Sequence, residues 1–355
     1  MHLNRINDII DLEFHLFRSA FHDFPTQFVI SPYSSVAVLS ILFDLSQTES
    51  LKTILNSCFH SSILHSLKAH VESIVSHNMN AIHDVNKIFT VSPLKADLKS
   101  VQSILVLLDE SKPIITQINR YVKNETNGKI PDLINPLIKT PQNSIIASAV
   151  SLFSCRWEKG LFTSLKTCKF YGLQKNAPIT MLLAYDKKIN CTETNSLTAI
   201  ELPFEDPNFG LLVVTPKMAG EIYYKKMIKK MRSKKLKKLI KGLKPKDVNI
   251  SFPKIEIETA PFNPFKSFGF GDSKIKLSEN ESLGFIRQKC VITINESGVC
   301  VDNESNSLPL SSESHKYKKF NHPFAFFIYT HDPLSIIMCG TMMDTLNSGS
   351  VDVGL

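Results

Sequence analysis

Cys58, His60, His65 and His70 are side chains of metal-ligating type that fall close together in the sequence. Zinc sites use set short ligand spacings, and histidines five positions apart fall on different faces of a helix. The spacing therefore predicts helix-surface residues, with no metal site. "FGFGDS" brings Gly269 and Gly271 together without the third glycine of a dinucleotide-binding turn. The sequence contains no GxSxG, HExxH or phosphate-binding loop, so no catalytic constellation, cofactor or enzymatic activity is expected. The densest charge run, "KKMIKKMRSKKLKKLIKGLKPK" (225–246), is of the kind that binds a polyanion or serves as a nuclear localisation signal. Without its lysines it leaves Met227, Ile228, Met231, Leu236, Leu239 and Ile240 in a helical stripe, which predicts a solvated amphipathic helix.

The elements that must position any site are helical first and extended later. Ile6, Ile10, Phe14, Phe17 and Phe21 recur at helical steps. "QFVISPYSSVAVLSILFDL" predicts a strand, Ser31 and Pro32 as start signals, and a helix apolar all round, hence buried. "ITQINRYVKNETNGKIPDLI" predicts a helix ended by Gly128 and Pro131. From residue 144 the apolar runs are strand-like: "SIIASAVSLFSCRW", "LTAIELPFE", "FGLLVVTP", "VNISFPKIEIE", "CVITINE", "FAFFIY" and "LSIIMCGTMM". That order predicts an α+β fold, and no repeat or linker divides residues 1–355 into more than one domain. A connection of 27 residues, about twenty of them a polar stretch, separates "CVITINE" from "FAFFIY", and loops of that length are usually functional or disordered.

Composition bounds the partners. The 355 residues carry 41 basic and 33 acidic side chains, a net charge of +8, which draws acidic partners without naming one. Seven cysteines are scattered, odd in number and never paired as CxxC. Arg5, Asp8, Asp11 and Glu13 interrupt the apolar pattern of the amino terminus where a signal peptide needs an unbroken core. No stretch reaches the ~18 apolar residues that span a bilayer. These features predict the reducing cytoplasm without a membrane partner for a chain expected to be monomeric, and leave export by an unconventional route open.

Several blocks resemble the serpins. "FVISPYSSVAVLSIL" is similar to their strand-to-helix signature, and "INRYVKNETNGKIPDLI" to the helix that lies across their main sheet. "AVSLFSCRWEKGL", "IELPFEDPNFGLLVVTPK" and "ISFPKIEIE" resemble three of their strands. "ITINESG", "FNHPFAFFI" and "SIIMCGTMM" resemble the hinge and the two closing strands. The blocks follow the family's order over nearly the whole chain, and the short stretches before the first sheet strand resemble those of intracellular serpins of the poxvirus type. The resemblance implies three β-sheets, eight or nine helices and an exposed reactive-centre loop at about 297–319. It also implies a trap: a serine or cysteine protease cuts the loop, the loop inserts as a new strand, and the acylated protease is distorted before hydrolysis.

Residue roles carry over by position. Glu296 and Gly298 match the hinge, and Lys254 matches the lysine that pairs with that glutamate beside Trp157, the only tryptophan. Counting from either end places the reactive bond at Ser312–Glu313, while protease chemistry favours Leu310 or Leu308. Where the family has small residues, this hinge has Val299, Cys300, Val301, Asp302, Asn303 and Glu304. On an inserted strand, whose side chains alternate, the resemblance implies that Val299, Val301, Asn303, Ser305 and Ser307 turn inward. Mid-sheet, Ser31 and Ser34 keep the family's serines, whereas Ala149 and Gln288 replace an Asn and a His, so the hydrogen bonding there must differ. Two functions stay open: an inhibitor acting by loop insertion, or a non-inhibitory binding protein with an altered hinge.

Overall fold

Apolar spacing decides the element types. The computed structural model describes residues 6, 8–45, 49–78, 80–91, 104–138, 144–269, 275–276, 282–301, 308–311 and 316–345. The chain begins with α1 (Ile9–Asp23), β1 (Phe28–Ile30), α2 (Pro32–Leu45), α3 (Glu49–Cys58) and α4 (Ser61–Asn78). It then forms β2 (Ile82–Asp84), β3 (Lys87–Thr90), β4 (Leu105–Leu107) and α5 (Ile114–Glu125). Strands follow: β5 (Ser144–Ser148), β6 (Ser151–Phe153), β7 (Cys155–Arg156), β8 (Ser164–Tyr171), β9 (Asn176–Glu193), β10 (Leu197–Pro203) and β11 (Phe209–Pro216). Next come α6 (Glu221–Lys230), α7 (Ser233–Lys241), β12 (Lys244–Pro253), β13 (Ile255–Phe262) and a 3₁₀ turn at Lys266–Phe268. The chain closes with β14 (Ile275–Lys276), β15 (Ser282–Ile294), β16 (Gly298–Val299), β17 (Lys318–Lys319), β18 (Phe324–Thr330) and β19 (Ser335–Met342).

Helices first and strands later give the expected α+β class, with one nine-stranded, one eight-stranded and one two-stranded sheet. Among the described residues there are seven α-helices, against the eight or nine implied by the resemblance. The lysine-rich run corrects another expectation, because it is two helices rather than one. Met231 is extended (φ −69°, ψ 137°), and the Arg232 guanidinium donates to the carbonyls of Lys229 and Met231 at 2.7 Å, closing α6 before α7 restarts. Lys244 and Lys246, at the end of the run, already belong to β12.

Two compact units, each assembled from three separate stretches, make up the chain: 1–19, 30–152 and 260–291, and then 20–29, 153–259 and 292–355. In the first unit, α5 buries Ile115, Ile118 and Val122 in a cluster with Phe89, Ile130, Leu133 and Ile146. The Asn119 carboxamide holds the chain beyond α5, donating to the Ile134 carbonyl (2.7 Å) and accepting the amides of Leu133 and Ile134 (3.0 Å each). Gly128, at φ +79°, supplies the left-handed turn that lets the chain return. β3 pairs antiparallel with β5, and β5 pairs parallel with β15 from Ser144–Ser282 to Ser148–Arg287.

The second unit holds the nine-stranded sheet in the order β1-β19-β18-β11-β10-β9-β12-β17, with β8 beside β9. Every residue of β18 and β19 is buried, so these strands read as unbroken apolar runs rather than as an alternation.

Candidate functional site

The site is built where β15 ends and the chain doubles back. Ile294 of β15 pairs antiparallel with Val299, and Gly298 and Val299 pair in turn with Arg156 and Cys155 of β7. The hinge is thus already a strand lodged between β15 and β7. This corrects the expectation that residues 297–319 all stand outside the fold. Only glycine fits at 298, because a Cβ there would run into the Cys155 carbonyl oxygen and sit 2.8 Å from Arg156 Cα.

Side chains close the turn between the strands. Asn295 Oδ1 accepts the amides of Ser297 (2.8 Å) and Gly298 (3.1 Å), while its Nδ2 donates to the Val301 carbonyl (2.8 Å). Trp157 donates its indole N–H to the Asn295 carbonyl (2.8 Å) and its amide to the Ser297 carbonyl (3.1 Å). Its ring stacks on Phe204 with centroids 4.9 Å apart, so core packing and the hinge contact coexist in one residue.

Lys254 Nζ lies 2.5 Å from Glu296 Oε2, and the glutamate side chain is 10% exposed. Burial pushes the Glu296 carboxyl up, but the hydrogen bond from Lys254, one from the glutamate's own backbone amide and the Lys254 charge together outweigh it and leave the group below its ordinary value.

The inward and outward alternation expected beyond Gly298 breaks at once. Val299 is fully buried, but Cys300 is buried as well, at φ +50°, and Val301 is half-buried. A non-glycine residue at positive φ turns the chain out of the strand. The Cys300 amide donates to the Thr293 carbonyl (2.8 Å), and Ser154 Oγ donates to the Cys300 carbonyl (3.3 Å), so the turn is tied on both sides. Asn303, Ser305, Ser307, Asp302, Glu304 and the Ser312–Glu313 bond lie outside the described residues. Leu308 and Leu310 lie within them. Leu310 is 78% exposed and bridges Leu165 of β8 in parallel: the Leu165 amide donates to the Pro309 carbonyl and the Ser311 amide to the Leu165 carbonyl, both at 2.8 Å. The Ser311 hydroxyl lies 2.7 Å from the Tyr185 hydroxyl.

In the first unit, Gln288 clamps the start of α2. Its Oε1 accepts the Ser31 amide (3.1 Å), while its Nε2 donates to the Ser31 carbonyl (2.8 Å) and the Ser35 hydroxyl (3.0 Å). Ser34 donates its hydroxyl to Asn86 Oδ1, and the Ala149 amide donates to the Arg287 carbonyl (2.8 Å). Glutamine's two-ended amide thus supplies the bonding expected to differ here. Asn86, Ser35 and Asn295 were not singled out by sequence, and Cys300 only as one of the hinge residues that depart from the family; an Asx-turn signal at Asn295, two residues before Ser297, could have flagged that one.

The Cys–His group is dispersed by contrast. Cys58 is buried near the Phe268 carbonyl, His65 packs edge-on to Phe43, and His70 Nε2 lies 3.9 Å from Glu13. Among the described residues no three His, Cys, Asp or Glu side chains are placed to hold a metal ion.

Comparison with known proteins matches this architecture. Leukocyte elastase inhibitor A of Mus musculus is 23% identical over 375 residues, covering 95% of this chain and 97% of that protein. Serine proteinase inhibitor 1 of Monkeypox virus is 29% identical over 154 residues, covering 41% of this chain and 42% of that protein. Among the first relatives, the share of the relative's length that is matched runs from 56% to 97%. The solved structure of thyroxine-binding globulin complexed with thyroxine has the same fold, with a TM-score of 0.79 at 19% identity, covering 96% of this chain and 98% of that one. The pattern of the serpin (serine protease inhibitor) family matches residues 9–345, and the chain belongs to that family.

Proposed function

We propose that this serpin is a suicide substrate for a serine or cysteine protease. Serpins are inhibitors rather than enzymes, and the chemistry here belongs to the protease. Its nucleophile attacks a loop carbonyl, the bond to the following amide breaks, and the amino-terminal half of the loop is left as an ester or thioester. That half is then free to lengthen β16 along β15, gaining backbone hydrogen bonds as an added strand does. The distorted protease hydrolyses its acyl link too slowly to escape. The observation that carries this reading is the seated hinge: Gly298 and Val299 already separate β15 from β7, so insertion extends an existing strand.

Ser312–Glu313 is the reactive bond by count, and Leu310 is the site favoured by exposure and chemistry. In a parallel bridge the residue opposite Leu165 turns its own N–H and C=O away from β8. Leu310 therefore offers both backbone groups and an apolar side chain to an incoming cleft. All seven cysteines are free thiols, which supports a reducing, cytoplasmic setting.

The tied turn at Cys300 favours a second reading, a non-inhibitory binding protein whose loop stays put after cleavage. Incubation with elastase- and chymotrypsin-like proteases separates the two. Inhibition gives a covalent complex that survives boiling in SDS and stoichiometric loss of protease activity. Clean cleavage with full protease turnover and no complex sinks the inhibitory reading.

A further inference from the structure

The positive charge of this chain is concentrated in one place. Residues 221–246 hold twelve of its 41 basic residues and one of its 33 acidic residues, a net +11, which leaves −3 for all the rest. α6 and α7 carry most of that charge on their outer faces while burying Tyr224, Met227, Ile228, Leu236 and Leu239.

The outer face of α6 is not purely basic. At 100° per residue, Ile222, Lys226 and Lys229 form one stripe opposite the buried side chains. Ile222 is 78% exposed, Met218 just ahead of the helix is 58% exposed, and Tyr223 is 39% exposed. A single exposed apolar residue is ordinary. Here three lie together within six positions, and Lys225, Lys226, Lys229 and Lys230 are all exposed beside them. A soluble polyanion would use the lysines and gain nothing from Ile222 and Met218. A bilayer interface uses both, taking apolar side chains at the acyl boundary while anionic headgroups hold the surrounding cations.

We propose that the outer face of α6, with Met218 and Ile222 at its tip, docks this protein peripherally on anionic phospholipid surfaces. The sequence led us to expect no membrane partner because no segment spans a bilayer, and among the described residues no helix is long and apolar enough to cross one. Peripheral docking needs no such helix.

Co-sedimentation with vesicles of equimolar phosphatidylcholine and phosphatidylserine tests the proposal, with phosphatidylcholine vesicles as the control. The wild-type chain is expected to sediment with the anionic vesicles only. The double variant Met218→Asp/Ile222→Asp should weaken that binding by about tenfold or more, the scale of one apolar side chain kept in water. The variant Lys226→Glu/Lys229→Glu/Lys230→Glu should abolish it. Both act on exposed side chains, and unchanged circular dichroism and Tm confirm the fold. As a second readout, Ile222→Trp should add a fluorescence component that shifts to the blue on anionic vesicles. Absence of wild-type binding overturns the proposal. So does a double variant that binds anionic vesicles as wild type does; equal retention of the two on a sulfated-polysaccharide column would then assign the face to soluble polyanions.

Discussion

The Lys254–Glu296 contact sets what one residue can do at the hinge. Its carboxylate is nearly buried, and the lysine counters the cost of burial. Lys254→Met keeps the aliphatic stem but leaves that charge without its partner. A loss of about 1–3 kcal/mol follows, the cost of an orphaned buried acceptor, measured by denaturant unfolding near neutral pH. The pH dependence has a defined sign. Because the folded Glu296 pKa lies below the ordinary 4.5, its stabilisation is fully present above 4.5 and fades as pH falls through the folded value. Lys254→Met should therefore flatten the acid-side decline, and an unchanged acid slope would refute the pairing as a stabilising contact. Trp157, Lys254 and Glu296 were legible only through the resemblance, because the blocks that hold them match the family's and carry the three over by position. Asn295 was not, since its only signal is an Asx-turn pattern that gains meaning once its three hydrogen bonds are seen.

At the scale of the element, the question is how readily β16 grows. Its far end is Cys300 at φ +50°, a conformation that costs an ordinary residue about 1–2 kcal/mol and a β-branched one more. Cys300→Val should destabilise the turn and favour the extended backbone that insertion needs. Cys300→Gly relaxes the turn and holds the hinge where it is. On an SDS gel with a cognate protease, the valine variant should raise the ratio of covalent complex to cleaved chain, and the glycine variant should lower it. Identical ratios would show that the turn does not govern insertion. Periodicity could not have revealed this residue, because alternation assumes a regular strand and says nothing about where φ changes sign. The same limit appears in "SIIASAVSLFSCRW", a single strand-like stretch in the sequence that the structure divides into β5, β6 and β7 because its segments pair with different partners. Where a strand keeps one set of neighbours, as β18 and β19 do, the apolar run and the element coincide.

For the whole molecule, the α+β class follows from the order of patterns along the chain, whereas the two compact units do not. Each draws on three distant stretches, and no local signal in the sequence records which distant stretches will meet. That interleaving bears on cooperativity, since neither unit can be completed before the chain has passed through the other. We expect a single unfolding transition by circular dichroism and fluorescence alike, and two separated transitions would argue for independent domains. The inhibitory reading then requires that transition to move when the loop is cut. Roughly ten added backbone hydrogen bonds at ~1 kcal/mol each, with ~2 °C per kcal/mol for a chain of this size, raise Tm by on the order of 20 °C. The rise should come without any change in covalent mass beyond one hydrolysed bond, and Lys254→Met should retain most of it, because the new pairing forms along β15 beyond the ion pair. Cleavage that leaves Tm where it was would mean that β16 stops at Val299, and the chain would then be a serpin in fold alone.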